Sequence, residues 1–353
     1  FRDNADALEK EFDIEGDVIP MSFIINNGDQ DPAILINGFG EGYGDTGDHF
    51  AVTDEGEVIY TTVQEGYKEG IEWLHSLVEQ DLVDPEAFTQ EWSTYVAKGK
   101  NHRYGLCFTW DIANIDNYDD YVMLPALAGP DGLVNITRQN GSETSGFDRG
   151  RCGLTTSCRD TALAAAWIDQ MYAPLQSVQN NWGTYGEEDA DNIFEMSTNS
   201  EGGEMLKHLD LGDASPVEVR QAQSVNGPLA VLNDYYDVYV TQPDDAKWRL
   251  DNMHETYLKD MHSKYVYPNV FMSIDDTNRV SQLDTDIKKY AEQKKADWIL
   301  NGGIEEEWDS YLRKMEDYGL SEYLAIKQKY FDQYQESLSE MNEDTSAETS
   351  TGN

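Results

Sequence analysis

Lys98-Gly99-Lys100-Asn101-His102-Arg103-Tyr104-Gly105-Leu106-Cys107-Phe108-Thr109-Trp110-Asp111-Ile112-Ala113-Asn114 is the stretch on which the reading of this chain turns. Its apolar run, Tyr104 to Phe108, predicts a short strand that ends at Trp110-Asp111. In open α/β sheets, ligands gather at strand ends. An aromatic ring beside a carboxylate suits a sugar, whose C–H face packs on the π surface while its hydroxyls take hydrogen bonds. Taken alone, Trp110 reads more readily as half-buried packing, which is what most tryptophans do.

Upstream, Val18 to Ile25 reads as a strand, and Ile34 to Gly47 carries Gly-Phe-Gly-Glu-Gly-Tyr-Gly. No Lys-Ser/Thr pair follows those glycines, so the loop is not a phosphate cradle; it bares Phe39 and Tyr43 instead. Phe50–Thr53 and Val58–Tyr60 flank Asp54-Glu55-Gly56, a hairpin signal. Tyr67, Ile71, Leu74 and Val78 recur at helical spacing, and Asp84-Pro85 opens another short element. Downstream, Val134–Thr137 and Arg151–Thr155 predict strands. Asp160 caps a helix whose face is Leu163, Trp167 and Met171. Trp182 and Tyr185 stand between glycines in a loop-like run. Leu206–Pro216 is loop-like. Tyr235, Tyr236 and Tyr239 crowd one short element, with 236 and 239 on one helical face. Helices follow over 246–260, 284–300, from Ile304 to Gly319, and from Ser321 onward. Trp167, Trp298 and Trp308 are expected in the core. The Glu/Ser/Thr-rich end, 341–353, predicts disorder.

The chain has 353 residues, enough for about two domains, with 68 acids against 25 bases and a net charge of -43. Such a surface argues against nucleic acid or an anionic membrane surface as partner, since both need clustered Lys and Arg. It suits an uncharged or cationic ligand. Aromatics reach 11%, with 21 Tyr and 8 Trp, a composition shared by sugar-handling surfaces and Tyr-rich cores. The three cysteines, Cys107, Cys152 and Cys158, form no C-x-x-C pair; Cys152 and Cys158 could close a small loop disulfide in a secreted chain, but three is an odd number and free thiols are expected. The six histidines form no ligand pair, so no metal is expected; Asp13–Asp17 only superficially resembles a calcium loop. No cofactor signature and no Gly-x-Ser-x-Gly elbow occurs. With so many carboxylates, a glycosidase pair is not excluded by counting, while Asp111, Glu143 and Asp148 read first as solvated surface. The opening Phe1-Arg2-Asp3 reads as the tail of a helix already under way and predicts a missing N-terminal part.

Several segments together resemble the extracellular solute-binding proteins of carbohydrate ABC transporters, the family that includes maltose-binding protein, and within it the Gram-positive lipoprotein branch. They are Glu65–Ile71 running to Leu82-Val83-Asp84-Pro85-Glu86; Val96-Ala97-Lys98-Gly99-Lys100, then strand, then Trp110-Asp111; Leu154–Cys158 with the Ala-rich helix to Met171-Tyr172; and Tyr267–Phe271 with the stretch from Trp298 to Trp308. Each is weak alone, but their order over most of 18–338 is fairly specific.

The resemblance implies an α/β, two-lobed, periplasmic-binding-protein-like (class II) fold with a hinge, a helical C-terminal region, and the first part of one lobe missing. Residues 1–121 are expected in the C-terminal lobe, 122–226 in the N-terminal lobe, 227–340 back in the C-terminal lobe with its closing helices, and 341–353 as the tail. It implies capture of an oligosaccharide between the lobes, by closure over the ligand, and delivery to ABC transporter permease subunits. The protein would be a monomer outside the cell, held to the membrane through a lipid anchor on the missing N-terminus. Trp110 matches a ring-stacking tryptophan of the family, and Phe39 and Tyr43 lie near another aromatic. Asp111, Asn114, Glu143, Arg149 and Arg151 are candidate hydroxyl partners, with Trp182, Tyr185, Tyr235, Tyr236 and Tyr239 as further candidates. A glycoside-active enzyme and a non-catalytic adhesion or scaffold protein are the alternatives.

Overall fold

A computed structural model describes residues 18–45, 47–137, 152–186, 192–211, 216–225, 227–258, 261–262 and 265–350. The expectations placed on residues 1–12, Asp13–Asp17 and the loop 139–149, together with Glu143, Arg149 and Arg151, lie outside the described residues.

In chain order, strand β1 (Ile19–Met21) is followed by the hairpin β2 (Phe50–Val52) and β3 (Val58–Tyr60), whose turn is the Asp54-Glu55-Gly56 signal. Helix α1 (Glu65–Glu79) turns Tyr67, Ile71 and Leu74 inward, as their spacing predicts. Asp84 caps the turn Pro85–Phe88 by accepting from Glu86 N, and α2 (Trp92–Lys100) leads into β4 (Tyr104–Leu106). β4 pairs parallel to β1, with Ile19 opposite Tyr104 and Met21 opposite Leu106. Next come β5 (Ile136–Thr137), α3 (Thr161–Met171), α4 (Pro174–Trp182), the antiparallel pair β6 (Phe194–Thr198) and β7 (Glu204–His208), and α5 (Pro216–Gln223). α6 (Asp244–Thr256) precedes β8 (Met261–His262), which pairs parallel to β5. Three helices end the described chain: α7 (Ile274–Asn301), α8 (Ile304–Asp317) and α9 (Leu320–Ser350). Gly302, at φ 73°, breaks α7 from α8. Among the described residues no helix is long and apolar enough to cross a membrane.

The chain divides into two compact units. Unit 1 takes the described residues of Phe1–Phe108, Leu124–Phe147 and Thr256–Asn353; unit 2 takes those of Thr109–Met123 and Asp148–Glu255. Changes of unit were expected after 121 and 226, whereas Trp110 and Asp111 already belong to unit 2 and Leu124 returns the chain to unit 1.

Unit 1 is built on α1, α7, α8 and α9. Their inner faces bury Leu74, Ile71, Ile287, Trp298, Trp308, Tyr311 and Tyr323, so the expectation of a core Trp298 and Trp308 holds. The Trp308 and Tyr311 rings stack at 5.6 Å, and Trp298 meets Tyr311 edge-on at 4.9 Å. Each indole N–H is satisfied by a carboxylate, Trp298 donating to Glu307 and Trp308 to Glu65. The resemblance motifs have a physical basis here. Lys98 of the Lys-Gly pair is buried, and its Nζ reaches Asp84 Oδ2 at 2.6 Å, Glu86 Oε2 at 2.8 Å and Gln90 Oε1 at 3.0 Å. Ser22 Oγ donates to the same Asp84 oxygen. A buried charge needs such pairing, so Leu-Val-Asp-Pro-Glu and Lys-Gly are two halves of one network beneath the β1–β4 pair. Asp45, its side chain buried, accepts from Thr61 Oγ1 at 2.5 Å and faces His49 Nδ1 at 2.8 Å.

Unit 2 has a smaller core of Val178, Ile193, Phe194, Leu206 and Val240 between α4 and the β6–β7 pair. Four expectations fail in this unit. Residues 152–155 form no strand. Leu206 lies in β7 rather than a loop, because it pairs with Met196. Tyr236 and Tyr239 do not share a helical face: the element is a single 3-10 turn, Asn233–Tyr235, and the ring pair is Tyr235 with Tyr239 at 5.1 Å. Trp167 is 60% exposed and Leu163 69%, since α3 packs chiefly on α4 and turns this face away from it. In unit 1, α9 runs to Ser350 where disorder was expected from 341; the stretch has no Gly or Pro to stop it. All three cysteines are free thiols, as expected.

Candidate functional site

The turn after β4 builds the site. Asp111 caps the 3-10 turn Ile112–Asn114, its Oδ1 accepting from Ala113 N at 3.1 Å. Ile112 and Ile115 are buried beneath, which anchors the turn in unit 2. Trp110, one residue earlier, is left 55% exposed. A single exposed ring carries no meaning by itself, as Trp167 shows; the groups set beside Trp110 decide its reading.

Arg249 of α6 completes the arrangement. Its Nε donates to Asp111 Oδ2 at 2.8 Å, and its guanidinium carbon lies 5.2 Å from the Trp110 ring centroid. Both are within the range of a charge-assisted hydrogen bond and a cation–π contact. Asp111 is only 8% exposed, and its two oxygens hold the turn and the arginine. The carboxylate therefore positions Arg249 over Trp110. The arrangement can offer an apolar ring surface and N–H donors side by side, which suits a polyol with C–H patches and hydroxyl oxygens.

Around this pair unit 2 sets further groups. Burial pushes the Tyr236 hydroxyl up, against the charges of Arg249 and Arg220, which favour its ionised form. Burial and the charge of Arg249 push Arg220 down. Arg220 is tied to Asn181, donating from Nε to the backbone oxygen at 2.9 Å and from a terminal nitrogen to Oδ1 at 2.6 Å. Trp248 packs on Tyr118 at 5.9 Å on the same helix that carries Arg249.

The structure brings Trp110 and Asp111 together with Arg249, while Asn114 lies buried at the end of their turn. Trp182 is held in the unit 2 core, edge-on to Phe194 at 6.4 Å and to His208 at 5.5 Å. Tyr185 and Tyr235 also pack on that core, and Tyr239 is the edge-on partner of Tyr235. Phe39 and Tyr43 belong to unit 1. Phe39 lies 5.7 Å from Trp73, whereas Tyr43 meets Tyr265 edge-on at 5.0 Å and donates to Glu41. Among the described residues, no group of three His, Cys, Asp or Glu could hold a metal ion. Arg249 is the residue that sequence reasoning missed. Its signal was slight: a base next to Trp248 in a chain poor in bases, 138 positions from its carboxylate partner.

No protein-family model matches the chain. It is 46% identical over 322 residues to the fructooligosaccharide ABC transporter substrate-binding protein FusA of Streptococcus pneumoniae, an alignment covering 91% of this chain and 58% of FusA. The structure of S. pneumoniae FusA in complex with kestose superposes with a TM-score of 0.76 at 43% identity, over 92% of this chain and 64% of that one. FusA carrying an EF-hand mutation, in complex with fructo-nystose, gives a TM-score of 0.75 at 41% identity, over 94% of this chain and 68% of that one. The chain thus spans about two thirds or less of the length of these relatives. The α/β class II fold expected from the sequence is the fold of these relatives.

Proposed function

We propose, from the premise that this chain belongs to the substrate-binding proteins of ABC transporters, that it serves to capture a fructooligosaccharide outside the cell. The bound sugar passes to the permease subunits of the transporter. The observation that carries this reading is the exposed Trp110 ring with Arg249 fixed beside it by Asp111. A furanose or pyranose ring lays its C–H face on the indole surface that the guanidinium leaves open. The guanidinium N–H groups not spent on Asp111 donate to sugar hydroxyl oxygens. Because Asp111 neutralises Arg249, the pair itself adds no net charge, which suits a neutral ligand.

Binding, not bond cleavage, is the activity. Asp111 has both oxygens engaged within the protein, which removes it as a catalytic acid. A lipid anchor to the membrane and a monomeric state complete the proposal, with Tyr236 and Asn114 as supports of the site rather than ring platforms.

Calorimetric titration with kestose, nystose and maltose tests it. The expected result is saturable binding of the fructose-containing sugars, preferred over maltose, with the sugars recovered unchanged. Absence of binding to any neutral oligosaccharide, or release of free fructose during incubation, contradicts it.

A further inference from the structure

The glycine-rich loop that bares Phe39 has a structural purpose beyond the Trp110 site. Gly38 lies so close to Gly129 that a Cβ on Gly129 would stand 1.7 Å from the Gly38 oxygen, and one on Gly38 would stand 2.6 Å from Gly129 N. Gly40, at φ 56°, lies equally close to Gly66 at the start of α1, 2.7 Å from an added Cβ to Gly66 Cα. Only glycine permits these two backbone approaches. They pin residue 39 between helix α1 and the turn 129–132, which is closed by Gly132 N donating to Gly129 O at 2.9 Å.

The result is a groove of about 660 Å³ made wholly of unit 1 residues. Its floor is the Phe39–Trp73 pair, tilted 39° at 5.7 Å. Leu127 and Pro130 form the apolar wall, and Glu69 and Asp131 lie at its polar margin. Glu69 sits one helical turn before Trp73, so both project from the same side of α1. Among the described residues no lysine or arginine lines the groove, and its charged side chains, Glu69 and Asp131, are acceptors. That favours a neutral, hydroxyl-bearing ligand over an anionic one. Aromatic rings with carboxylates beside them suit a polyhydroxylated ring, and the volume falls in the range of small-ligand sites.

We propose that this groove is a saccharide-binding subsite for a neutral sugar ring, with Trp73 as its platform and Glu69 and Asp131 accepting from sugar hydroxyls. The inference rests on the carbohydrate reading above and extends it from Phe39, already a candidate in the glycine-rich loop, to Trp73, Glu69 and Asp131, which the sequence did not offer as ligand contacts.

The test uses the chain labelled with 5-fluorotryptophan, each fluorine resonance assigned by a single Trp→Phe variant, and titrated with kestose. The expected result is a saturable shift of the Trp73 resonance. The midpoint of that shift should rise about tenfold or more in the Glu69→Gln, Asp131→Asn double variant. A Trp110 resonance that shifts while Trp73 stays fixed overturns the groove and leaves the Trp110 site standing. A Trp73 shift unchanged in the double variant also overturns it, because the effect is then transmitted rather than made by contact. If neither resonance moves, the carbohydrate reading fails with it; if Trp73 alone moves, the groove stands and the Trp110 site fails.

Discussion

Arg249 and Asp111, 138 positions apart in the chain, meet through a 2.8 Å hydrogen bond that holds the guanidinium over the Trp110 ring. Asp111→Asn keeps an oxygen to cap Ala113 but removes the charge that orients Arg249. We expect kestose affinity to fall by about tenfold with the far-UV spectrum unchanged. A double-mutant cycle with Arg249→Lys should return a coupling on the order of 1–2 kcal/mol in binding. Additive losses would mean that the two residues act apart.

Lys98 stabilises unit 1 by pairing with Asp84 in a buried network. Lys98→Met leaves that carboxylate buried and unpaired. The expected cost is about 3 kcal/mol or more, measured by urea unfolding. A change below about 0.5 kcal/mol would place the lysine among surface ion pairs instead.

His208 packs against Phe194 at 4.6 Å in the unit 2 core, and burial pushes it down to about 4, partly opposed by its Thr241 partner. The unfolded chain binds a proton near pH 6.5 and the folded chain only near 4, so stability rises with pH across that window. Acidification from pH 7 to 4 should therefore cost unit 2 roughly 2–3 kcal/mol through this group. His208→Phe should flatten the dependence of the unfolding midpoint between pH 4 and 6.5.

Asp45 gives the opposite case in kind but the same direction in pH. Burial alone would raise its carboxyl, but His49, Lys295 and the Thr61 hydroxyl outweigh that and hold it below the usual range. A depressed folded value contributes stability above about pH 4 that is lost as pH falls through it. Unit 1 should show an acid unfolding limb below about pH 4 that Asp45→Asn removes. An unchanged limb in that variant would assign it to other carboxylates.

Local signals were legible. The spacing of Tyr67, Ile71 and Leu74, the Asp84 and Asp160 caps and the Asp54-Glu55-Gly56 turn each depend on neighbours a few positions away. What escaped depends on distant partners. Met196 and Leu206 become a strand pair only by meeting each other across a polar turn. Trp167 looked like core because its helix face is apolar, but no element packs there in the described structure to bury it. The site divided in the same way. Trp110-Asp111 was visible at the end of a strand, while Arg249, which decides what Asp111 does, sits in a helix read only for its periodicity.

Trp110 is proposed as a ring platform for a neutral oligosaccharide. Calorimetric titration of kestose into the Trp110→Ala variant, with an unchanged unfolding midpoint as the control, tests it most directly. The account predicts a loss on the order of 1–3 kcal/mol in binding free energy, as for other aromatic anchors. Unaltered affinity in the intact variant would contradict it.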